Sequence, residues 1–154
     1  MRQLIILFWL LVLGAAGSGC RAETSGPEGT PTQRAYELQL EEARAAWEAS
    51  RVEAYTMRVR YRHPGWHVQV LDVRVEDSQA TVIAHSCVPR ASCTVHEVSN
   101  RLLTIENVFQ EAVAAATSGQ IEHLVIHNKY RFPRIVTVGG DAVSWEISNF
   151  RVLK

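Results

Sequence analysis

The fold is decided between Tyr55 and His85, and that stretch opens Tyr55-Thr56-Met57-Arg58-Val59-Arg60-Tyr61-Arg62. Tyr55, Met57, Val59 and Tyr61 alternate with Thr56, Arg58, Arg60 and Arg62. A period of two is that of a half-buried strand, here with an arginine row outward. His63-Pro64-Gly65 supplies a turn. Trp66 to Glu76 reads as a second strand, and its alternation changes phase near Val70-Leu71, which predicts a bulge. Asp77-Ser78 makes the next turn and Gln79 to His85 a third strand.

Outward from this meander the period changes. From Arg34 to Arg51, Tyr36, Leu40, Ala43 and Trp47 recur at helical spacing, with Glu37, Glu41, Glu42, Arg44 and Glu48 on other faces. Ser86 to Arg101 has little periodicity and holds Cys87 and Cys93. A second helix opens at Thr104, a good N-cap, with Leu103 and Val108 in the staple positions. Val108, Phe109, Ala112, Val113 and Ala116 form its apolar face, and Gly119 suits its stop. Ile121 to Asn128, Arg134 to Val138 and Val143 to Phe150 follow as strands, the last pair turning at Gly139-Gly140-Asp141. The expected fold is α+β: helix, three strands, helix, three strands, with helices packed on one face of an antiparallel sheet. The two halves share a layout without a clear shared sequence, so duplication stays an open reading.

The chain has 154 residues, the length of one domain. Hydrophobic residues make up 47% and charged residues 21%, a globular rather than a disordered composition. Sixteen basic residues balance sixteen acidic ones, so no global field draws nucleic acid or an anionic surface.

The first twenty residues carry an address. Arg2 supplies a positive start, Leu4 to Leu13 is an unbroken apolar run of ten, and Gly14 to Gly19 are all small. That is the layout of a secretory signal peptide over residues 1–19. A membrane span takes about 20 apolar residues, twice this run. Ala16-Gly17-Ser18-Gly19-Cys20 resembles a lipoprotein lipobox, in which Cys20 receives a diacylglycerol and acyl chains. Gly17 stands where that motif prefers Leu, and ordinary cleavage near Gly19 is the alternative. The chain holds three cysteines, an odd number for an exported protein. Lipidation of Cys20 leaves Cys87 and Cys93 as a disulfide pair. Residues 20–33, rich in Gly, Pro, Thr and Ser, then read as a flexible tether, and 34–154 as one globular domain. The expected location is extracytoplasmic, anchored by lipid to the cell membrane or outer membrane. Arg21 rather than Asp after the cysteine leans toward the outer membrane by analogy with sorting signals.

Four short motifs carry a family resemblance. They are Trp47 followed by Tyr55, Leu103-Thr104-Ile105-Glu106-Asn107-Val108-Phe109, Tyr130-Arg131-Phe132-Pro133-Arg134-Ile135, and Trp145-Glu146-Ile147-Ser148-Asn149-Phe150. In that order they resemble a set of small exported bacterial proteins, often lipoproteins, known only as a domain of unknown function. The resemblance spans about residues 44 to 150 and implies an extracytoplasmic location and the same element order, but no activity. Members of that set carry a closely spaced Cys pair after the first strand, where this chain reads Arg60-Tyr61-Arg62-His63-Pro64.

Candidate chemistry is sparse. His85, Cys87, Cys93 and His96 offer two thiolates and two imidazoles, a tetrahedral zinc set, but an oxidising compartment turns the Cys pair into a disulfide first. His63 and His67 flank the Pro-Gly turn; His123 and His127 lie on one strand about 13 Å apart, too far to share a metal. The row Arg58, Arg60 and Arg62 suits an anionic ligand, or is a solvated strand face. No glycine-bracketed serine elbow, phosphate loop, calcium loop or His-Glu-x-x-His motif occurs. The expectation is a lipid-anchored, non-catalytic binding or interaction module with no cofactor and no nucleic-acid partner. The alternative is a small hydrolase or metal-dependent enzyme built on the His85 to His96 cluster.

Overall fold

The computed structural model describes residues 31–139 and 143–154. The leader, Cys20, most of the tether and the Gly140-Asp141 part of the last turn lie outside them. Helix α1 (Pro31–Ala49) precedes β1 (Tyr55–Arg62), β2 (Val68–Glu76) and β3 (Gln79–Val88). A single 3-10 turn at Asn100–Leu102 leads into α2 (Ile105–Thr117), then β4 (Ile121–Ile126), β5 (Pro133–Val138) and β6 (Val143–Val152). The strands form a six-stranded sheet in the order β3-β2-β1-β6-β5-β4, antiparallel throughout. The α+β class with an antiparallel sheet is therefore correct. Each half of the chain contributes one meander, and the two join where the first strand of one meets the last of the other.

Local chemistry accounts for the element ends. Pro31 opens α1, where its fixed φ suits a first helical turn and its missing N–H costs nothing. The helix thus takes in Pro31 to Gln33, which composition alone assigns to the tether, and Gln33 Nε2 donates to the Ile121 carbonyl at 3.1 Å. Thr104 caps α2 by accepting from the Asn107 N–H. At its other end Gly119, at φ +72°, lets its own N–H reach the Ala116 carbonyl and the Gln120 N–H reach that of Ala115. Asp77 and Ser78 both have positive φ, the geometry of a two-residue hairpin turn. The His63 carbonyl accepts from the Trp66 N–H across Pro64-Gly65.

The β2 bulge expected at Val70-Leu71 is absent. Pairing with β1 runs without a break from Tyr55↔Val75 to Tyr61↔Gln69. Gln69, Leu71, Val73 and Val75 are all buried, so the inward set keeps one phase and includes a glutamine. The phase change is only in polarity, because Val68 and Val70 point the other way. Real slips occur in the neighbouring pairs, between Asp72 and Val73 against β3 and between Thr56 and Arg58 against β6. In β6 the extra residue is Asn149, at φ +51°. Trp145 and Ile147 face the core, so an unbroken period of two would turn Phe150 outward. The added residue turns it back, and Phe150 packs on Trp47, Tyr55, Tyr130 and Phe132.

One core unites Leu40, Ala43 and Trp47 of α1, Val108, Phe109 and Ala112 of α2, and the inward residues of the strands. The helices touch each other, and both reach β4, with α2 also on β5. No helix among the described residues is long and apolar enough to cross a membrane.

Candidate functional site

The arginine row is split by its neighbours. Arg58 sits in register with Asp72 on β2 and makes a forked contact to its carboxylate, Nε to Oδ1 at 2.7 Å and Nη2 to Oδ2 at 2.9 Å. That bond holds the Asp72 carboxyl below its ordinary range and raises Arg58 further. Arg60 and Arg62 are exposed and form no ion pair among the described residues. Arg62 belongs to a shallow cleft of about 350 Å³ with His63, Trp66 and His67. Arg58 and Arg60 line a larger groove of about 690 Å³ together with Asp72, Ser86, Arg90, Ser148 and Asn149. The expected row of three thus becomes one neutralised guanidinium and two others in separate depressions.

The Cys and His cluster resolves differently. The strand β3 runs on to Val88, so His85 and Cys87 are strand residues and only Cys93 and His96 lie in the following loop. Inward-facing Cys87 is buried, and its sulfur lies at disulfide distance from that of Cys93, with Cα atoms 5.9 Å apart. Both imidazoles are diverted. His85 Nε2 lies 3.2 Å from Gln69 Oε1, and the His96 ring stacks on Trp66 at 4.4 Å between centroids. No group of three or more metal-ligating side chains forms among the described residues, and the zinc set His85, Cys87, Cys93, His96 does not assemble.

The residue that organises this corner is Gln69, which sequence reasoning passed over. Its Nε2 donates to the carbonyls of His67 and Thr94, at 2.8 and 3.1 Å. Its Oε1 accepts from the His96 N–H at 2.9 Å. A fully buried amide can persist only with its donors and acceptors met, and here they are met by His67 and by Thr94 and His96, just beyond the loop that the sulfurs close. The signal was the polar residue in the inward register of β2, misread as a bulge.

Of the remaining histidines, His63 and His67 share the cleft with Arg62, with no metal-ligating group of three among the described residues. His63 packs on Trp66 at 4.6 Å, while His67 is exposed. The strand β4 ends at Ile126, so His127 lies in the next turn rather than on a strand with His123. His127 Nδ1 accepts from the Lys129 and Tyr130 N–H groups, both at 3.2 Å, and its ring stacks on Phe132. Burial, then the charges of Arg134 and Lys129, push its pKa below the ordinary imidazole value. It is a neutral turn cap.

The motif residues meet in one aromatic cluster. Trp47 makes edge contacts with Tyr55, Phe132 and Phe150 at 5.8 to 5.9 Å. Its Nε1 donates to Glu106 Oε1 at 2.9 Å, and the Tyr55 hydroxyl accepts from the Ile105 N–H at 2.8 Å. Burial raises the Tyr55 pKa well above the phenol range, so the hydroxyl keeps its proton. This cluster locks α1, α2, the strands β1 and β6 and the segment between β4 and β5 together, and a cleft of about 380 Å³ lies beside it between Arg44, Arg51 and Glu106. Its chemistry is that of a polar-rimmed core, with no nucleophile beside a base. Compared with protein-family models, with curated proteins and with solved structures, the chain matches none.

Proposed function

We propose that this protein is an exported, lipid-anchored envelope protein whose α+β domain is a non-catalytic binding module. The observation that carries the reading is the approach of Cys87 to Cys93, which leaves Cys20 as the one cysteine without a partner in a three-cysteine chain. That arithmetic supports acylation of Cys20, with residues 1–19 removed and the mature domain held off the membrane by the short polar segment before α1. Two helices after a tether, packed on one face, leave the opposite face of the sheet for a ligand, and the burial alternation along β1 and β2 supports this layout. The convergence of the Trp47, Glu106, Phe132 and Phe150 motifs into one cluster supports kinship with the small exported proteins described above.

Metabolic labelling with a fatty acid tests the anchor. Label should enter the wild-type chain, vanish in Cys20→Ala, and take membrane association with it. A mature protein whose N-terminal mass shows an unmodified cysteine sinks the proposal.

A further inference from the structure

The two slips in the sheet coincide. Arg58, Asp72, Ala84 and Ser148 form one row across β1, β2, β3 and β6. Register shifts on both sides at that row, beyond Asp72 toward β3 and beyond Arg58 toward β6. Bulges of this kind bend a strand and re-aim side chains, and they recur beside binding sites. Here they sit in the groove of about 690 Å³. Small residues form its floor: Ala84 and Ser148 in the Arg58 row, and Ser86 in the next row with Val70 and Arg60.

The charges above that floor are uneven. Arg58, Arg60 and Arg90 line the groove against a single carboxylate, Asp72, leaving two positive charges over. Asp72 is occupied by Arg58, so the free charge is that of Arg60 and Arg90, both exposed. Glu146 stands in register with Arg60 but makes no ion pair with it among the described residues. Ser86, Ser148 and Asn149 add neutral donors. Asn149 is held at positive φ, a conformation that costs an ordinary side chain about 1–2 kcal/mol and that asparagine tolerates best after glycine.

We propose that this groove binds a tetrahedral oxyanion, a phosphate or sulfate group carried by a small ligand, between Arg60 and Arg90. Two guanidinium forks match a doubly charged group, and the serine hydroxyls on the floor reach oxygens that a planar carboxylate does not present. Arg90 comes from the loop that Gln69 and the Cys87–Cys93 pair hold down, so the loop places the second cation. The site rests on the binding-module reading and names the chemistry of its ligand.

The test is calorimetric titration of the full chain in detergent with inorganic phosphate, inorganic sulfate and acetate at matched ionic strength. Saturable binding of phosphate or sulfate, weaker at higher salt, is expected. It should fall about tenfold in the Arg60→Gln/Arg90→Gln double variant and stay within about twofold in Arg62→Gln. Ser148→Asp, which puts a carboxylate on the floor, should abolish it independently. Acetate bound as tightly as phosphate, equal affinity in the double variant, or no saturable binding of either anion each overturns the site. Membrane fractionation keeps the two readings apart: an anchored wild type that binds neither anion sinks the groove alone, and a soluble wild type that binds phosphate sinks the anchor alone.

Discussion

Gln69→Ala is the perturbation that most directly probes how the disulfide loop is held. The wild-type side chain is fully buried and carries contacts to Thr94 O at 3.1 Å and to the His96 N–H at 2.9 Å across the loop. Each such bond contributes about 1 kcal/mol net, and each partner left dry costs a further 1–3 kcal/mol or so. Thr94 and His67 are exposed, so their carbonyls can recover water, whereas the N–H of half-buried His96 is harder to reach. The loss is then about 2–4 kcal/mol, a large share of a small domain's stability. Urea unfolding measures the loss, and hydrogen exchange reads the cause, because the His96 amide should lose its protection while amides at the β1–β2 centre keep theirs. A loss below about 1 kcal/mol with His96 protection unchanged would refute the reasoning and assign the loop to the sulfur pair alone.

Three further outcomes follow from the same geometry. Cys87→Ser with Cys93→Ser should cost about 2 kcal/mol, the chain-entropy value for a loop this short, and peptide mapping of unreduced protein should show no alkylated Cys87 or Cys93. His127 has a depressed pKa in the fold, so the unfolded chain binds its proton first. Its contribution should be complete above the free imidazole range and lost as pH falls through the lower folded value. Melting temperatures should therefore drop between about pH 7 and pH 5, and less steeply in His127→Asn, which keeps an acceptor and cannot titrate. Asn149→Val should destabilise by about 1–2 kcal/mol because a β-branched residue resists positive φ, while Asn149→Gly should be nearly neutral. Equal losses for the two would mean that Asn149 acts through its side chain and not its backbone.

Local pattern in the sequence was enough for everything whose cause is local. The alternation of Tyr55 to Arg62, the Asp77-Ser78 hairpin, the Thr104 cap and the Gly119 stop each depend on a few adjacent residues, and each stands where the pattern places it. The pairing of Cys87 with Cys93 was legible for the same reason, since six residues separate them. What failed were inferences about partners distant in sequence. A glutamine inside β2 reads as a fault in the pattern until Thr94 and His96 arrive from the loop 25 and 27 residues on to satisfy it. Two histidines and two cysteines stay open as a metal set, second to the disulfide, until strand direction and Gln69 send the imidazoles elsewhere. Arg58 looks like Arg60 until Asp72, 14 residues away, neutralises it across the strand pair. Which face a residue takes follows from period, but whether its polar group is met, paired or left for a ligand is settled only by the chain that folds back against it.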